Sequence, residues 1–240
     1  TENNKKRTIF YRNESGVRTS NKLLEESVPK LRDNSLFLYL AQSENHPESS
    51  EVYKWFAQDL ILLGNGYSLM IPDEYLELMN NEYLKKEMIS FLSFADFNIS
   101  DIKIREIPNP VYEQIFKLLR HDLVENLNVD FIKNHKELYT IHKIYDDDEV
   151  IDYGELPLSN ESVGTQRLFY IVLAMMLAQI NGNRKTIVID EFDDSLHVEL
   201  ASALVKIFNS KENMNQFIVT THDVQLLDSA LRIDQIYLLD

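Results

Sequence analysis

The feature that most constrains this chain is a short aliphatic run, Thr186-Ile187-Val188-Ile189, which stops at Asp190-Glu191. All four residues are β-branched and they do not alternate with polar ones, so the run reads as a strand buried on both faces. Beyond Glu191 the chain keeps alternating: a helical pattern over 195–208, a second apolar run over 216–220, a helical pattern over 224–231 and a last strand-like run over 235–239. Strands that alternate with helices predict an α/β fold with a parallel sheet and helices on both faces. In such a sheet the chemistry collects at the carboxyl ends of the strands.

The remainder of the chain sets the limits on that reading. Its 240 residues are 44% hydrophobic and 26% charged, with only 6 Gly and 6 Pro, which excludes collagen-like and low-complexity classes. The sequence suggests two regions: 1–135, a mixed helical and β lateral region or insertion, and 136–240, the α/β lobe. Within the first, apolar spacing predicts helices over 51–63 and 73–92, separated by the Gly64-Asn65-Gly66 turn signal and Pro72. Strand-like stretches over 99–107 and 138–145 are expected to pair as a hairpin, with a helical excursion over 108–128 between them. The acidic run 146–149 reads as a solvated turn rather than a cation site, because consecutive carboxylates point in different directions. His121, His135 and His142 are isolated and read as surface or locally satisfied residues.

Cysteine is absent, which removes disulfides, thiolate metal sites and thiol nucleophiles and suits a reducing compartment; a cytoplasmic location is expected. The longest apolar run, 168–178, is short of the roughly 18 residues needed to span a bilayer, and TENNKKRTIF lacks a signal-peptide core. No membrane is therefore expected. The formal net charge of -15 opposes a polyphosphate backbone, so nucleic acid, although possible as a partner, is not supported by charge.

Three segments carry chemistry. Asp190 and Glu191 sit where a buried parallel strand ends, a Walker B pattern: the first acid suits a hydrated Mg²⁺ and the second a base or orienting group for water. Acids after a strand also serve simply to cap the next helix. The run 217–220 ends in Thr221-His222-Asp223, which brings an imidazole to the same edge if the two strands are neighbours; a strand-end histidine can equally bond locally. Upstream, Ser162-Val163-Gly164-Thr165-Gln166 opens a long apolar helix pattern. Ser162 or Thr165 can cap that helix, and its free amides favour an anion, while an ordinary capped core helix has the same pattern.

Taken in order, the Ser-x-Gly-Thr-Gln segment, the Asp-Glu strand end, Asp194-Ser195-Leu196-His197 and the Thr-Thr-His-Asp strand end closely resemble ABC-class ATPases, a P-loop NTPase-type fold. More narrowly they resemble the bacterial AAA-named proteins allied to the OLD ATPases, many of which act in anti-phage defence. The resemblance is strong over 155–240 and weak over 1–150. It implies that Ser162, Gly164, Thr165 and Gln166 contact the γ-phosphate of ATP held by a second subunit and that Asp190 coordinates Mg²⁺. It further implies that Glu191 activates water, that Asp194, Ser195, Leu196 and His197 form the D-loop, and that His222 is the switch histidine. The implied assembly is a head-to-tail homodimer or larger homo-oligomer in which ATP is hydrolysed at composite sites. The implied partners are a toxin or nuclease effector and a phage-encoded trigger.

One half of such a site is missing from the sequence. None of the six glycines is followed by lysine, so no Walker A loop can be placed. The expectation is that the first strand and P-loop lie outside this sequence, as in a fragment, or come from a separate chain. A Q-loop glutamine is not assigned; Gln42 and Gln58 qualify by type alone. Two other functions stand beside the defence ATPase: an SMC-like DNA-handling ATPase, which predicts a heptad arm and a basic groove that the sequence does not display, and a non-catalytic scaffold.

Overall fold

The computed structural model describes residues 8–14, 16–19, 21–32, 34–64, 73–95, 98–108, 134–180, 182, 184–229 and 231–238. The expected turn at Gly64-Asn65-Gly66 falls largely outside them. Pro72, His121 and the excursion over 108–128, apart from Pro108, lie outside them too. The chain divides into two compact units, residues 1–61 and 62–240.

In the first unit, β1 (Phe10–Asn13) and β2 (Gly16–Thr19) form an antiparallel hairpin, and the short helices α1 (Lys22–Glu25), α2 (Phe37–Ser43) and α3 (Pro47–Lys54) come after it. Leu24, Phe37 and Ala41 form its buried centre, with the Phe10 and Phe37 rings 4.5 Å apart. α3 starts at Pro47 because proline suits the first helical position and the buried His46 ring accepts the Ser49 amide. The helix expected over 51–63 ends early: a π-helical turn occupies Trp55–Asp59, and Leu60–Leu63 is strand β3. An aliphatic run of four suits either state, and ladder pairing decides it, since the Asp190 amide donates to the Leu63 carbonyl at 2.9 Å.

The helix expected over 73–92 is broken in two. α4 (Asp73–Leu76) tightens into a 3₁₀ turn at Glu77–Asn80, and α5 (Glu82–Phe94) begins afresh. The break is Asn81, whose extended backbone and side-chain oxygen, accepting the Tyr83 and Leu84 amides at 3.0 and 3.3 Å, cap the second helix.

β4 (Ile99–Pro108), β5 (Asn134–Asp146) and β6 (Glu149–Pro157) form an antiparallel sheet in that order. The expected pairing of the first two stretches is present, with Ile102 opposite Thr140 and Ile104 opposite Leu138. The third strand is not predicted by the sequence pattern; its partner register runs from Tyr139↔Pro157 to Asp146↔Glu149. The acidic run is the exposed tip of that hairpin, with Asp147 in the left-handed region at φ 50°.

The second sheet has the order β3, β7 (Thr186–Ile189), β8 (Gln216–Val219), and β7 and β8 are parallel with Ile187 opposite Phe217. Helix α6 (Val163–Ile180) precedes β7, and α7 (Val198–Phe208) connects β7 to β8, so the class is α/β, as the alternation predicts, and of the P-loop NTPase type that the resemblance implies. α6 is long and apolar enough by length and composition to cross a membrane, but 67% of that window is buried inside the protein, where Leu168, Phe169, Ile171 and Val172 are fully enclosed. It is the core helix. Phe192, Phe208 and Phe217 contact in series, the first pair tilted and the second stacked, with centroids 5.6 and 4.0 Å apart, and hold α7 against β8 and the turn after β7.

Near the carboxyl terminus two expectations need correction. The helix over 224–231 is a 3₁₀ turn, Val224–Asp228, closed by the Asp223 carboxylate accepting the Gln225 amide at 2.8 Å. The strand over 235–239 is not formed among the described residues: Ile233–Gln235 is another turn, and Tyr237 and Leu238 are 84% and 85% exposed. A β-prone segment becomes a strand only when a ladder takes its backbone groups, and none of the described strands does so here.

Because Phe169 is wholly enclosed, Phe169→Ala is expected to cost about 3–5 kcal/mol by the cavity it leaves. Urea denaturation of the variant against the native protein measures it; a loss below about 1 kcal/mol would show that α6 is not the centre of the core.

Candidate functional site

Asp190 and Glu191 leave β7 into a tight turn that runs to α7. Glu191 itself is left-handed at φ 46°, a conformation that costs a non-glycine residue on the order of 1–3 kcal/mol unless its surroundings impose it. Here they do, from both sides of the residue. Its amide donates to the Thr220 hydroxyl at 2.8 Å, and its carbonyl accepts from the Arg167 guanidinium. The same Thr220 hydroxyl donates to Oδ1 of Asp190 at 2.6 Å. Thr220 is just past β8, and the parallel register delivers it here, since its amide reaches Ile189 and its carbonyl takes the Phe192 amide at 2.8 Å.

His222 lies two residues further on. Its Nε2 is 3.7 Å from Oε1 of Glu191, wider than a hydrogen bond, with side chains 88% and 37% exposed. Asp190, Glu191 and His222 therefore face one open space at the carboxyl edge of the parallel pair.

Arg167 is a residue that the motifs of the sequence do not single out. It is fully buried in α6, and its Nη2 donates to the Asp190 carbonyl at 2.8 Å as well as to that of Glu191. Its Nε donates to the Phe192 carbonyl at 3.2 Å, and Nη1 lies 3.5 Å from Oδ2 of Asp194. The signal for it in the sequence is a lone arginine immediately before an unbroken apolar run, where a buried charge must find dedicated partners.

The segment at the start of α6 meets the same turn by a second route. A Cβ on Gly164 would lie 2.5 Å from the Ser195 carbonyl oxygen, so the helix approaches the Asp194-Ser195 turn at a distance only glycine allows. Ser195 is itself left-handed at φ 61°, which delays α7 from the expected Ser195 to Val198. Ser162 caps α6: its hydroxyl accepts the Thr165 amide at 3.1 Å and bonds the Thr165 hydroxyl at 2.7 Å. The Gln166 side chain turns back to the Ser159 and Glu161 carbonyls at 3.2 and 2.8 Å. The Asp194 carboxylate accepts the Ser195 hydroxyl at 3.3 Å, and His197 stands at the head of α7, exposed and without a side-chain cap bond.

Next to Ser162, Glu161 has a side chain only 8% exposed and lies 2.6 Å from His142 Nε2, with the Thr140 hydroxyl donating to it. This ties β5 to the residue before the cap and gives His142 a local partner, as expected of it. An open groove of about 950 Å³, lined by Ile89, Asp101, Lys103, Ile141, Lys143 and Tyr153, lies on the antiparallel sheet instead. The groove and the carboxylate edge are thus different places, and the convergence of polar groups favours the edge.

The donor set fits a magnesium nucleotide. Asp190 is exposed and has one oxygen engaged by Thr220, which orients the other outward, and no group of three or more acids, histidines or cysteines gathers among the described residues. A single oriented carboxylate suits Mg²⁺, which keeps waters and takes the rest of its shell from phosphate oxygens.

A family model described as "AAA domain, putative AbiEii toxin, Type IV TA system" matches residues 3–228. No curated protein matches. Among solved structures, one entitled "Structure of the recombination mediator protein RecF-ATPrS in RecFOR pathway" aligns at 15% identity and a TM-score of 0.28, over 84% of this chain and 49% of that one. The chain thus spans about half the length of that structure.

Gly164→Ala is expected to lose about 1–3 kcal/mol, because the added carbon meets backbone that cannot swing aside. Gly154→Ala, whose Cβ would sit 3.5 Å from an Ile144 methyl, should stay within about 0.5 kcal/mol of the native protein. Thermal unfolding of both variants decides whether the close approach is real; equal stabilities would deny it.

Proposed function

From the premise that the chain belongs to the AAA-domain family described for AbiEii toxins and type IV toxin–antitoxin systems, we propose that it is the signature-bearing part of an ABC-type ATPase. In this reading the ATPase acts as a nucleotide-dependent switch in anti-phage defence. The single observation that carries the ATPase reading is the meeting of Asp190, Glu191, Thr220 and His222 at one strand edge, with the first two bridged by the Thr220 hydroxyl. A toxin or nuclease as the controlled effector and a phage product as trigger belong to the same proposal, on the resemblance of the motifs to defence ATPases alone.

Asp190 would hold Mg²⁺ through the oxygen that Thr220 leaves open, and Thr165, Gln166 and Ser162 would frame the helix end offered to nucleotide on a partner copy. Mg²⁺ when bound supplies charge neutralisation for the phosphates. Glu191 is placed to accept a proton from water in the space it shares with His222, whose imidazole can donate a hydrogen bond across the same space. Ser162 spends its hydroxyl on the Thr165 amide, and the Val163 and Gly164 amides remain at the first turn, where the helix dipole favours an anion. Asp194 and Ser195, the D-loop positions, and His197 lie on the turn that Gly164 touches. The phosphate-cradling loop comes from outside residues 1–240, since none of the glycines precedes a lysine. Head-to-tail pairing of two copies then completes each site, in the cytoplasm and without a membrane partner.

In the intact protein that carries its P-loop, Glu191→Gln is expected to lower ATP turnover by about 10²–10⁴-fold, the range of general acid–base contributions, while ATP still drives self-association. Ser162→Arg is expected to abolish turnover by blocking closure. Coupled-enzyme kinetics and light scattering read both, and undiminished hydrolysis in either variant would contradict the role given to that residue.

A further inference from the structure

The helix that begins at Ser162 and the turn that carries Asp190 and Glu191 are separate in sequence, yet two unlike contacts lock them together. One is a backbone approach, Gly164 against the Ser195 carbonyl. The other is the buried guanidinium of Arg167, on the second turn of that helix, whose donors meet the carbonyls of three consecutive residues, Asp190, Glu191 and Phe192. The middle one of those three is the residue held at φ 46°.

We propose that Arg167 is a positioning residue for Glu191, and that through it the helix end offered to one nucleotide and the carboxylate acting on another form a single clamped unit. This deepens the ATPase reading and rests on it. The chemistry is specific to arginine. Only a planar fork with five donors can serve three carbonyls in different directions and still face the Asp194 carboxylate, whereas a lysine ammonium is a point donor on a flexible stem. Asp194 matters for the same reason: at 54% exposure its carboxylate is the clamp's solvent-facing end, and it belongs to the turn proposed to lie between subunits. A displacement of Asp194 by a neighbouring copy would therefore bear directly on the guanidinium that holds Glu191.

Thr220 completes the clamp from the strand side, since it takes the Glu191 amide while Arg167 takes the Glu191 carbonyl. The Asp194 amide also donates to the Glu191 carbonyl at 2.9 Å, so removing Arg167 leaves that carbonyl one hold instead of two, and removing the Thr220 hydroxyl loosens the amide end of a residue whose backbone conformation is unfavourable on its own. The carboxylate then samples other positions, and misplacement by about 1 Å can reduce a rate by roughly 10²-fold. For Arg167 substrate binding should suffer little, because its donors reach the carbonyls of the turn rather than a group assigned to ATP, whereas Thr220 also bonds the Asp190 carboxylate and its loss reaches the Mg²⁺ ligand as well.

The test uses the intact protein with its P-loop and the variants Arg167→Lys and Thr220→Val, which keep most of the packing volume. Expected for Arg167→Lys is a fall in kcat of about 10–100-fold with KM for ATP changed by less than about threefold. Hydrogen exchange in the absence of nucleotide should rise by about tenfold in peptides covering 190–195, and not in the β5–β6 hairpin. In a Glu191→Gln background the same substitution should add almost nothing to the loss of turnover, because groups acting as one unit are non-additive. Thr220→Val should reproduce the kcat loss. The proposal is overturned if Arg167→Lys leaves turnover intact, whether or not exchange rises, or if its effect multiplies fully with that of Glu191→Gln. Absence of turnover in the unsubstituted protein would instead defeat the ATPase reading, and the exchange data would then show the clamp to be structural only.

Discussion

A single buried cation organises this structure. The Arg167 guanidinium is wholly buried, so its donors look to protein acceptors, and leaving a buried charge without them costs several kcal/mol. The acceptors that meet it are the carbonyls of Asp190, Glu191 and Phe192, just past the end of a strand, the middle one shared with the Asp194 amide of the same turn. The need of the arginine and the need of the strand end are therefore satisfied by the same bonds. This is why α6 must lie where it does against β7, why Glu191 tolerates a left-handed backbone, and why the helix start is brought within backbone contact of Ser195.

Around that contact the remaining elements act as supports. The Phe192, Phe208 and Phe217 stack fixes α7 and β8, and the parallel register of β8 then places the Thr220 hydroxyl between Asp190 and Glu191. From the antiparallel sheet, Thr140 and His142 hold Glu161 and so the residue preceding the helix cap. Polar residues that bridge elements here are more informative than the apolar core. The bonds of Arg167 and the approach of Gly164 to Ser195 fix the rotation of α6 about its axis, which apolar contacts alone define less sharply.

The parallel pair and its carboxyl edge are legible in the sequence because aliphatic runs without alternation have few other uses, and because Asp190, Glu191 and His222 come directly after those runs. The same period-based reading fails where an element's state depends on a distant partner. Leu60–Leu63 is an extension of a helix by pattern and a strand by virtue of the Leu63 ladder bond. The segment over 235–239 has strand composition, but no described strand takes it up. Asn81 escapes notice as a break because its effect lies in one side-chain oxygen rather than in the hydrophobic spacing. Arg167 and the role of Thr220 are hidden for a related reason: Arg167 belongs to none of the motifs, Thr220 enters only as the first residue of the Thr-Thr-His-Asp segment, and their part in the site arises only when residues 23 to 30 positions apart in sequence are brought together.

The most direct measurement is electron paramagnetic resonance of Mn²⁺ bound with a slowly hydrolysed ATP analogue to the intact protein, in its native form and as Asp190→Asn. If the strand edge is a nucleotide site, the native protein binds the manganese nucleotide with a spectrum distinct from that of the free complex, and Asp190→Asn weakens that binding by at least about tenfold. Equal binding and an unchanged spectrum in Asp190→Asn would mean that the nucleotide, if bound at all, lies elsewhere, and that the Arg167-held turn has a purely structural purpose.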